Sequence, residues 1–416
     1  MQVFKFGGAS VKDAQGVKNL VTVLRETEHD NTLIVVSAMG KMTNAMEGVI
    51  GNYFDNKAEL QSSLQEVRKF HNAILLDLFE NENHAIFKKT SKLFDELAAF
   101  FDRNKSPDYN FVYDQAIGYG ELASSAIISA YLNDVGFENT CLDVREFLKT
   151  DSYYRRANVN WLDTQTQINK HFNKNKLNIT QGFLGSDANN FTTTLGREGS
   201  DYTAAIFAYC LNAQSVTIWK DVPGVLNADP RYFENAQLLN SISYREAIEL
   251  AFYGASVIHP KTLQPLQRKE IPLYVKSFLH PKNAGTCVGK GKGIEPKIPC
   301  FILKRNQILI SISSLDFSYI VEENISDIFN LLHLYKMKVD VIQNSAISFS
   351  VCVDDIYQNL DKLLQHLKAK FKVTCHENVS LYTIRHYNLE VVAQLEQGKT
   401  VLMKQLAQET MQMITK

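Results

Sequence analysis

Cysteine is sparse and scattered in this sequence. Its six residues, Cys141, Cys210, Cys287, Cys300, Cys352 and Cys375, lie far apart, with no C-x-x-C step and no histidine near enough to complete a zinc signature. That pattern excludes a cysteine-based zinc module and predicts buried, reduced thiols. Long apolar runs are missing too. No stretch of about eighteen apolar residues occurs, and the strand-like opening Met1-Gln-Val-Phe-Lys-Phe has no leader ahead of it, so a cytoplasmic protein without a membrane partner is expected. Nor is there an excess of one charge. The 44 basic and 45 acidic residues leave a net charge of -1, which argues against a nucleic-acid partner. Neither a P-loop nor a G-x-G-x-x-G fingerprint is present, and Met39-Gly40-Lys41 has only the tail of the former.

What is present is 416 residues, 45% of them hydrophobic, enough to bury two or three cores. Val3 to Phe6 reads as a buried strand that runs into Gly7-Gly8, with helical periodicity from Asp13 to Arg25. Two glycines at a strand end let the backbone approach a phosphate, and Lys5 places a cation there. A plain turn would look the same. Thr32 to Ser37 is a second apolar run, followed by Thr43, which suits either a ligand contact or a helix N-cap. From Glu59 to Asn104 apolar stripes predict helical scaffold. Gly118-Tyr119-Gly120-Glu121 opens another helix, where Glu121 could favour the helix terminus or meet a ligand ammonium group.

Thr192 to Leu211, TTTLGREGSDYTAAIFAYCL, is the centre of the chain. Its loop leads into a helix start where Ser200 or Asp201 can cap orphan N–H groups, and the remaining donors face solvent or an anion. Arg197 adds a planar donor for a carboxylate or phosphate. Strand Ser215 to Trp219 then leads into Lys220-Asp221-Val222-Pro223-Gly224, a loop that continues to Arg231 and could grip a nucleotide. Glycines and lysines from Asn283 to Pro299 mark a linker. Domains are therefore expected at 1–285 and 303–416, joined by 286–302. Beyond the linker the order β-α-β-β-α-β predicts a ferredoxin-like α+β unit, with an abbreviated second copy after Ser380. The alternating first part predicts a parallel sheet with one ligand-bearing edge, suited to phosphoryl transfer.

The segments Lys5-Phe6-Gly7-Gly8, Ser37 with Thr43, Gly120-Glu121-Leu122, Thr180-Gln181-Gly182-Phe183, Thr192 to Ala205, Trp219 to Arg231 and Gly254 to Pro260 together resemble the aspartate kinases of the amino-acid kinase family. The resemblance covers most of the first 290 residues and implies a three-layer αβα sandwich followed by ACT-type domains. It implies transfer of the γ-phosphoryl group of ATP to the side-chain carboxylate of L-aspartate, the first step towards lysine, threonine and methionine. By this resemblance Lys5 and Asp201 are catalytic, and Lys5, Gly7, Gly8, Lys220, Asp221, Arg231 and Ser256 bind ATP. Ser37, Thr43, Glu121, Arg197 and Ser200 bind aspartate. Asp340 and Ser345 would face an amino-acid effector, lysine or threonine, and the ACT-like region would form a homodimer. Mg²⁺ would ride on the phosphates, with no protein metal cage.

The sequence departs from the family pattern at Ala9, where Thr is usual, at Lys220, where Thr is common, at Leu226, where an aromatic often lies, and at Ser256, where a lysine often contacts ATP. Two alternatives accompany the leading reading: a kinase for another carboxylate or carbamate, and a catalytically weakened amino-acid sensor of the same fold.

Overall fold

The structure is a computed structural model that describes every residue except 30, 256, 257, 292 and 317. Two compact units emerge. The first comprises Met1–Val225, Leu238–Ile248 and Val257–Ile294, the second Leu226–Gln237, Glu249–Ser256 and Glu295–Lys416.

The strands up to residue 295 are β1 (Gln2–Phe6), β2 (Thr32–Val36), β3 (Asn139–Leu142), β4 (Leu177–Gln181), β5 (Leu184–Ser186), β6 (Thr192–Thr194), β7 (Ser215–Lys220), β8 (Ser241–Ser243), β9 (Leu273–Ser277), β10 (Thr286–Gly289) and β11 (Ile294–Glu295). Nine of them form one sheet in the order β11-β8-β10-β9-β7-β1-β2-β4-β3, while β5 and β6 make a separate hairpin pair. Pairing from β9 through β7, β1, β2 and β4 to β3 is parallel throughout, and β10 runs antiparallel to β9. The sequence divides direction at β1: β2 lies on one side and β7 on the other, which makes a topological switch point.

Alternation along β1 sets the two faces. Phe4 and Phe6 join Ile34, Val36, Ile179 and Trp219 in one core beneath the helices Ala14–Glu26 and Tyr119–Asp134. Val3 and Lys5 therefore point to the opposite face. There the helix Gly199–Leu211 packs on β1, β2 and β7, and it is buried along nearly its whole length, as its small and apolar residues allow. Helix, sheet and helix make three layers. Helices Leu60–Leu78 and Ala85–Arg103 fill the region read as scaffold. The first helix starts on Asp13, whose side chain accepts from Gly16 N–H, and it buries Val17, Leu20, Val21 and Leu24, each contributing about 1.5–3 kcal/mol.

The linker expected at 286–302 is instead structured: β10 and β11 are strands of the large sheet, and the next strand begins at Cys300. Glycine-rich composition hid two short strands whose backbone, not side chains, makes the sheet contacts. The second unit holds β12 (Cys300–Ser313), β13 (Lys338–Asn344), β14 (Ser348–Asp354), β15 (Lys372–Arg385), β16 (Val401–Ala407) and β17 (Thr410–Thr415), in one antiparallel sheet ordered β13-β14-β12-β15-β17-β16. Helices Glu322–Leu334 and Leu360–Lys368 cover one core, containing Ile310, Ile328, Val351 and Leu363. The long strands β12 and β15 continue past it and, with β17 and helix Leu389–Glu396, enclose a smaller core around Ile384, Val392 and Met411. None of the six cysteines is disulfide-bonded; Cys210, Cys300 and Cys352 are buried and the other three half-buried.

Candidate active site

Because β4, β2, β1, β7 and β9 are parallel neighbours, the turns that follow them lie along one rim. The turns after β1 and β2 are locked together. Ser37 N–H donates to Phe6 O at 3.1 Å and Gly40 N–H to Gly8 O at 2.9 Å, while a Cβ on Gly8 would stand 2.6 Å from Ala38 O. Gly8 is thus required by close backbone approach. A Cβ on Gly7 would lie 3.3 Å from Lys5 Nζ, so this glycine keeps the space over the lysine open. Gly182 N–H donates to Val36 O at 2.8 Å and presses directly on Ser200, which leaves no room for a side chain there.

Lys5 and Asp201 meet at this rim. Their Nζ and Oδ1 atoms are 2.6 Å apart and both side chains are buried. The other oxygen, Asp201 Oδ2, lies 3.9 Å from Lys220 Nζ. Register explains why two lysines reach one carboxylate. Lys5 pairs with Ile218, and Lys220 is two residues beyond Ile218 on β7, so both side chains leave the sheet on the face that the helix Gly199–Leu211 covers. Asp201 is in the first turn of that helix.

The helix start differs from the sequence expectation. Its cap is Glu198, in the left-handed region at φ 53°, rather than Ser200 or Asp201, and the Glu198 side chain makes no capping hydrogen bond. The chain enters through a tight turn in which Gly199 N–H donates to Gly196 O, so the capping geometry is used up before Ser200. The free donors of this helix end suit an anion.

Glu121 lies in the first turn of helix Tyr119–Asp134, fully enclosed, with one carboxylate oxygen lacking any partner. Burial pushes its carboxyl up to about 7, against the opposing effect of hydrogen bonds from its own N–H and that of Ala38. The Ala38 bond ties it to the β2 turn, where Ser124 Oγ also donates to Ser37 O at 2.8 Å. A buried carboxylate with an unused acceptor awaits a cation. Ser37 and Thr43, on the segment that follows β2, are half-buried, Thr43 within the first turn of helix Met42–Asp55 rather than at its cap, which is Lys41. Arg197 is exposed on the turn before the Asp201 helix.

Asp221 is exposed just past β7. Arg231 belongs to the second unit, where its guanidinium donates to both carboxylate oxygens of Asp229, Nε to Oδ1 at 3.0 Å and an Nη to Oδ2 at 2.6 Å among these contacts. Ser256 lies outside the described residues. Of the expected effector residues, Ser345 is exposed, while Asp340 is half-buried with its side chain enclosed and Oδ1 2.8 Å from Lys304 Nζ.

Two features escaped sequence reasoning. Asp114 is buried, accepts from Arg155 N–H, Thr194 N–H and Thr194 Oγ at 2.8–2.9 Å, and has its carboxyl raised to about 6 by burial. It holds β6, and so the approach to Arg197, in place. An aspartate on the apolar side of the helix Tyr109–Ile117 was the available signal. Arg155, with its guanidinium 4.4 Å from the Tyr113 ring centroid, belongs to a turn whose backbone packs on Gly196. The Tyr-Tyr-Arg-Arg run was its only trace.

Residues 1–277 match the amino acid kinase family. The chain is 30% identical over 393 residues to lysine-sensitive aspartokinase 3 of Escherichia coli, covering 92% of this chain and 86% of that one. It matches the bifunctional aspartokinase/homoserine dehydrogenase 1 of Arabidopsis thaliana at 27% identity but spans only 42% of its length. Among solved structures, aspartokinase III of Escherichia coli with lysine and aspartate superposes at a TM-score of 0.84, and the same enzyme with aspartate and ADP at 0.81, each 27% identical and covering 100% of this chain and at least 95% of the other. The strand order, the glycine rim and these likenesses lead to one assignment: the chain belongs to the amino acid kinase family, among its aspartokinases.

Proposed function

We propose that the protein transfers the γ-phosphoryl group of ATP to the side-chain carboxylate of L-aspartate, giving 4-phospho-L-aspartate and ADP. The observation that carries this reading is the Lys5–Asp201 pair at 2.6 Å, set among glycine turns on the carboxyl rim of the sheet. Transfer of a phosphoryl group requires positioning and charge neutralisation more than covalent help. Lys5 stabilises the moving group, and the N–H groups of Gly7 and Gly8 receive phosphate oxygens. Asp201 holds the Lys5 ammonium in place. The attacking carboxylate is already ionised at neutral pH, so no general base is needed.

Both ends of the acceptor have partners to meet. Glu121 takes the aspartate ammonium with its unpartnered oxygen, Arg197 takes the α-carboxylate, and Ser37, Thr43 and Ser200 supply hydroxyls. Lys220 and Asp221 serve the nucleotide. Arg231 serves it only by releasing Asp229. Both oxygens of Asp201 face lysines, and Mg²⁺ enters as part of the MgATP substrate.

The second unit is read as an ACT-like region that pairs two copies of the chain and senses an amino acid, lysine or threonine, near Asp340 and Ser345. Among the described residues no helix is long and apolar enough to cross a membrane, which accords with a cytoplasmic enzyme. A coupled ADP-release assay tests the catalytic reading: turnover with L-aspartate and not with L-glutamate supports it, and equal or exclusive use of glutamate overturns it.

A further inference from the structure

Asp114, on the helix Tyr109–Ile117, is wholly buried, and its carboxylate ties that helix to two other elements. Oδ1 accepts from the Thr194 hydroxyl at 2.8 Å, and Oδ2 accepts from the backbone N–H groups of Thr194 and Arg155, each at 2.9 Å. Thr194 ends β6, three residues before Arg197. Arg155 has a φ of 68°, which residues with a side chain rarely adopt, and the bond to Asp114 holds its N–H there. The two segments meet at Gly196. At φ 77° a Cβ on this glycine would stand 3.1 Å from both Arg155 O and Arg156 Cγ, and Ala157 N–H donates to Thr194 O at 2.9 Å. Further bonds close the turn, from Leu195 N–H to Phe183 O at 2.9 Å and from Gly199 N–H to Gly196 O at 3.0 Å. The backbone of Arg197 is therefore fixed by a short turn with Asp114 at its root. Gln115 grips the other end of β6, donating to Thr192 O at 2.8 Å and accepting from its N–H at 3.1 Å, so the strand keeps an anchor of its own.

We propose that Asp114 is a positioning residue that sets the length of acceptor the site takes, by fixing Arg197 relative to Lys5. The proposal rests on the aspartate kinase reading and deepens it. With the α-carboxylate on Arg197 and the ammonium on Glu121, the side-chain carboxylate of the acceptor must span the distance left to the phosphoryl group at Lys5. Aspartate and glutamate carry the same charges and differ by one methylene, so only a rigid separation between the two ends can tell them apart. The Arg197 side chain is exposed and gains no fixed place from its own packing. The turn beneath it supplies that place. Displacing a positioning group by about 1 Å costs on the order of a hundredfold in a reaction that depends on alignment, and a loosened turn lets the guanidinium follow the longer acid.

The test uses the full-length protein with Asp114→Asn, which keeps the shape but puts an amide where a carboxylate accepted three bonds. Thr194→Val, which deletes only the hydroxyl bond, is the second variant should the first fold poorly, and Thr194→Ser is its conservative partner. Steady-state kinetics are run with aspartate, with glutamate and with ATP varied in turn. In Asp114→Asn the KM for aspartate is expected to rise about tenfold while KM for ATP stays within about twofold, and the ratio of kcat/KM for aspartate to that for glutamate to fall about tenfold. Thr194→Val should move that ratio the same way by about threefold, and Thr194→Ser should keep it. In an Arg197→Ala background, adding Asp114→Asn should change the KM for aspartate by less than about twofold, because the group it positions is gone. A merely structural role would raise both KM values together and act by the same factor with or without Arg197. Either result overturns the proposal, as does an unchanged ratio. A parent protein that phosphorylates neither acid, or glutamate as readily as aspartate, refutes the functional reading instead. Hydrogen exchange over residues 194–200 then decides whether Asp114 fixes the turn: faster exchange in Asp114→Asn supports it, and exchange at the parental rate overturns it.

Discussion

Asp201 in the first unit and Asp340 in the second are held alike. Each has an enclosed side chain, each pairs closely with one lysine, Lys5 at 2.6 Å and Lys304 at 2.8 Å, and each has another lysine further off, Lys220 at 3.9 Å and Lys338 at 3.7 Å. Their surroundings differ. Above Lys5 the chain uses glycine, leaving space and backbone donors at a sheet edge; the Lys304 stem instead fills space against Gly254, and Asp340 sits at an irregularity in the pairing of β13 with β14. On the proposed function, the same ion pair would handle phosphate where the backbone recedes, whereas it is held within side-chain packing where the backbone closes in. Sequence alone does not separate the two, because the distinction lies in the neighbours rather than in the charges.

The comparison breaks if the two pairs respond alike to mutation. Lys5→Ala is expected to lower kcat about a thousandfold and, because the buried Asp201 loses its close partner, to cost about 3 kcal/mol of stability as well, measured by ADP release and calorimetry. Lys304→Ala is expected to share only the second loss: kcat of the folded enzyme stays within about twofold, while Asp340 left without its close partner costs about 3 kcal/mol of stability. Matching losses of activity in both variants would remove the contrast. The acceptor side is sharpened by Arg197→Ala, for which KM for aspartate rises about 30-fold and KM for ATP holds.

Titration supplies a smaller effect. With the Glu121 carboxyl near 7, the ionised form that an ammonium needs grows as pH rises, so KM for aspartate should be about tenfold higher at pH 6 than at pH 8. In Glu121→Gln that slope should vanish, leaving a uniformly weak KM; a slope that persists would place the titrating group elsewhere. Smallest of all, Lys338→Ala should shift stability by no more than about 0.5 kcal/mol, since its ammonium is mostly exposed.

Much of the rim was legible because its signals are local. A buried strand followed by two glycines, or by a hydroxyl and a small residue, reads directly as a turn at a strand end, and alternation tells which face Lys5 takes. The shared grip on Asp201 was not legible, since it depends on β7 lying beside β1 in a register that no short stretch encodes. The Arg231–Asp229 pair is the opposite case: the two residues are only two positions apart, but the spacing alone does not say that the guanidinium folds back on that carboxylate. The cap of the helix Gly199–Leu211 was misplaced for a related reason, because a left-handed Glu198 is a choice of backbone that composition does not announce. Asp114 stayed hidden because an isolated acid among apolar residues reveals its partners only in three dimensions.

Trapping the acyl phosphate with hydroxylamine tests the central claim most directly. With ATP, Mg²⁺ and L-aspartate the parent protein should yield aspartyl hydroxamate, and Lys5→Ala, folded and equally able to bind aspartate, should yield almost none. Hydroxamate formed by Lys5→Ala at the parental rate, or none formed by the parent, would contradict the account.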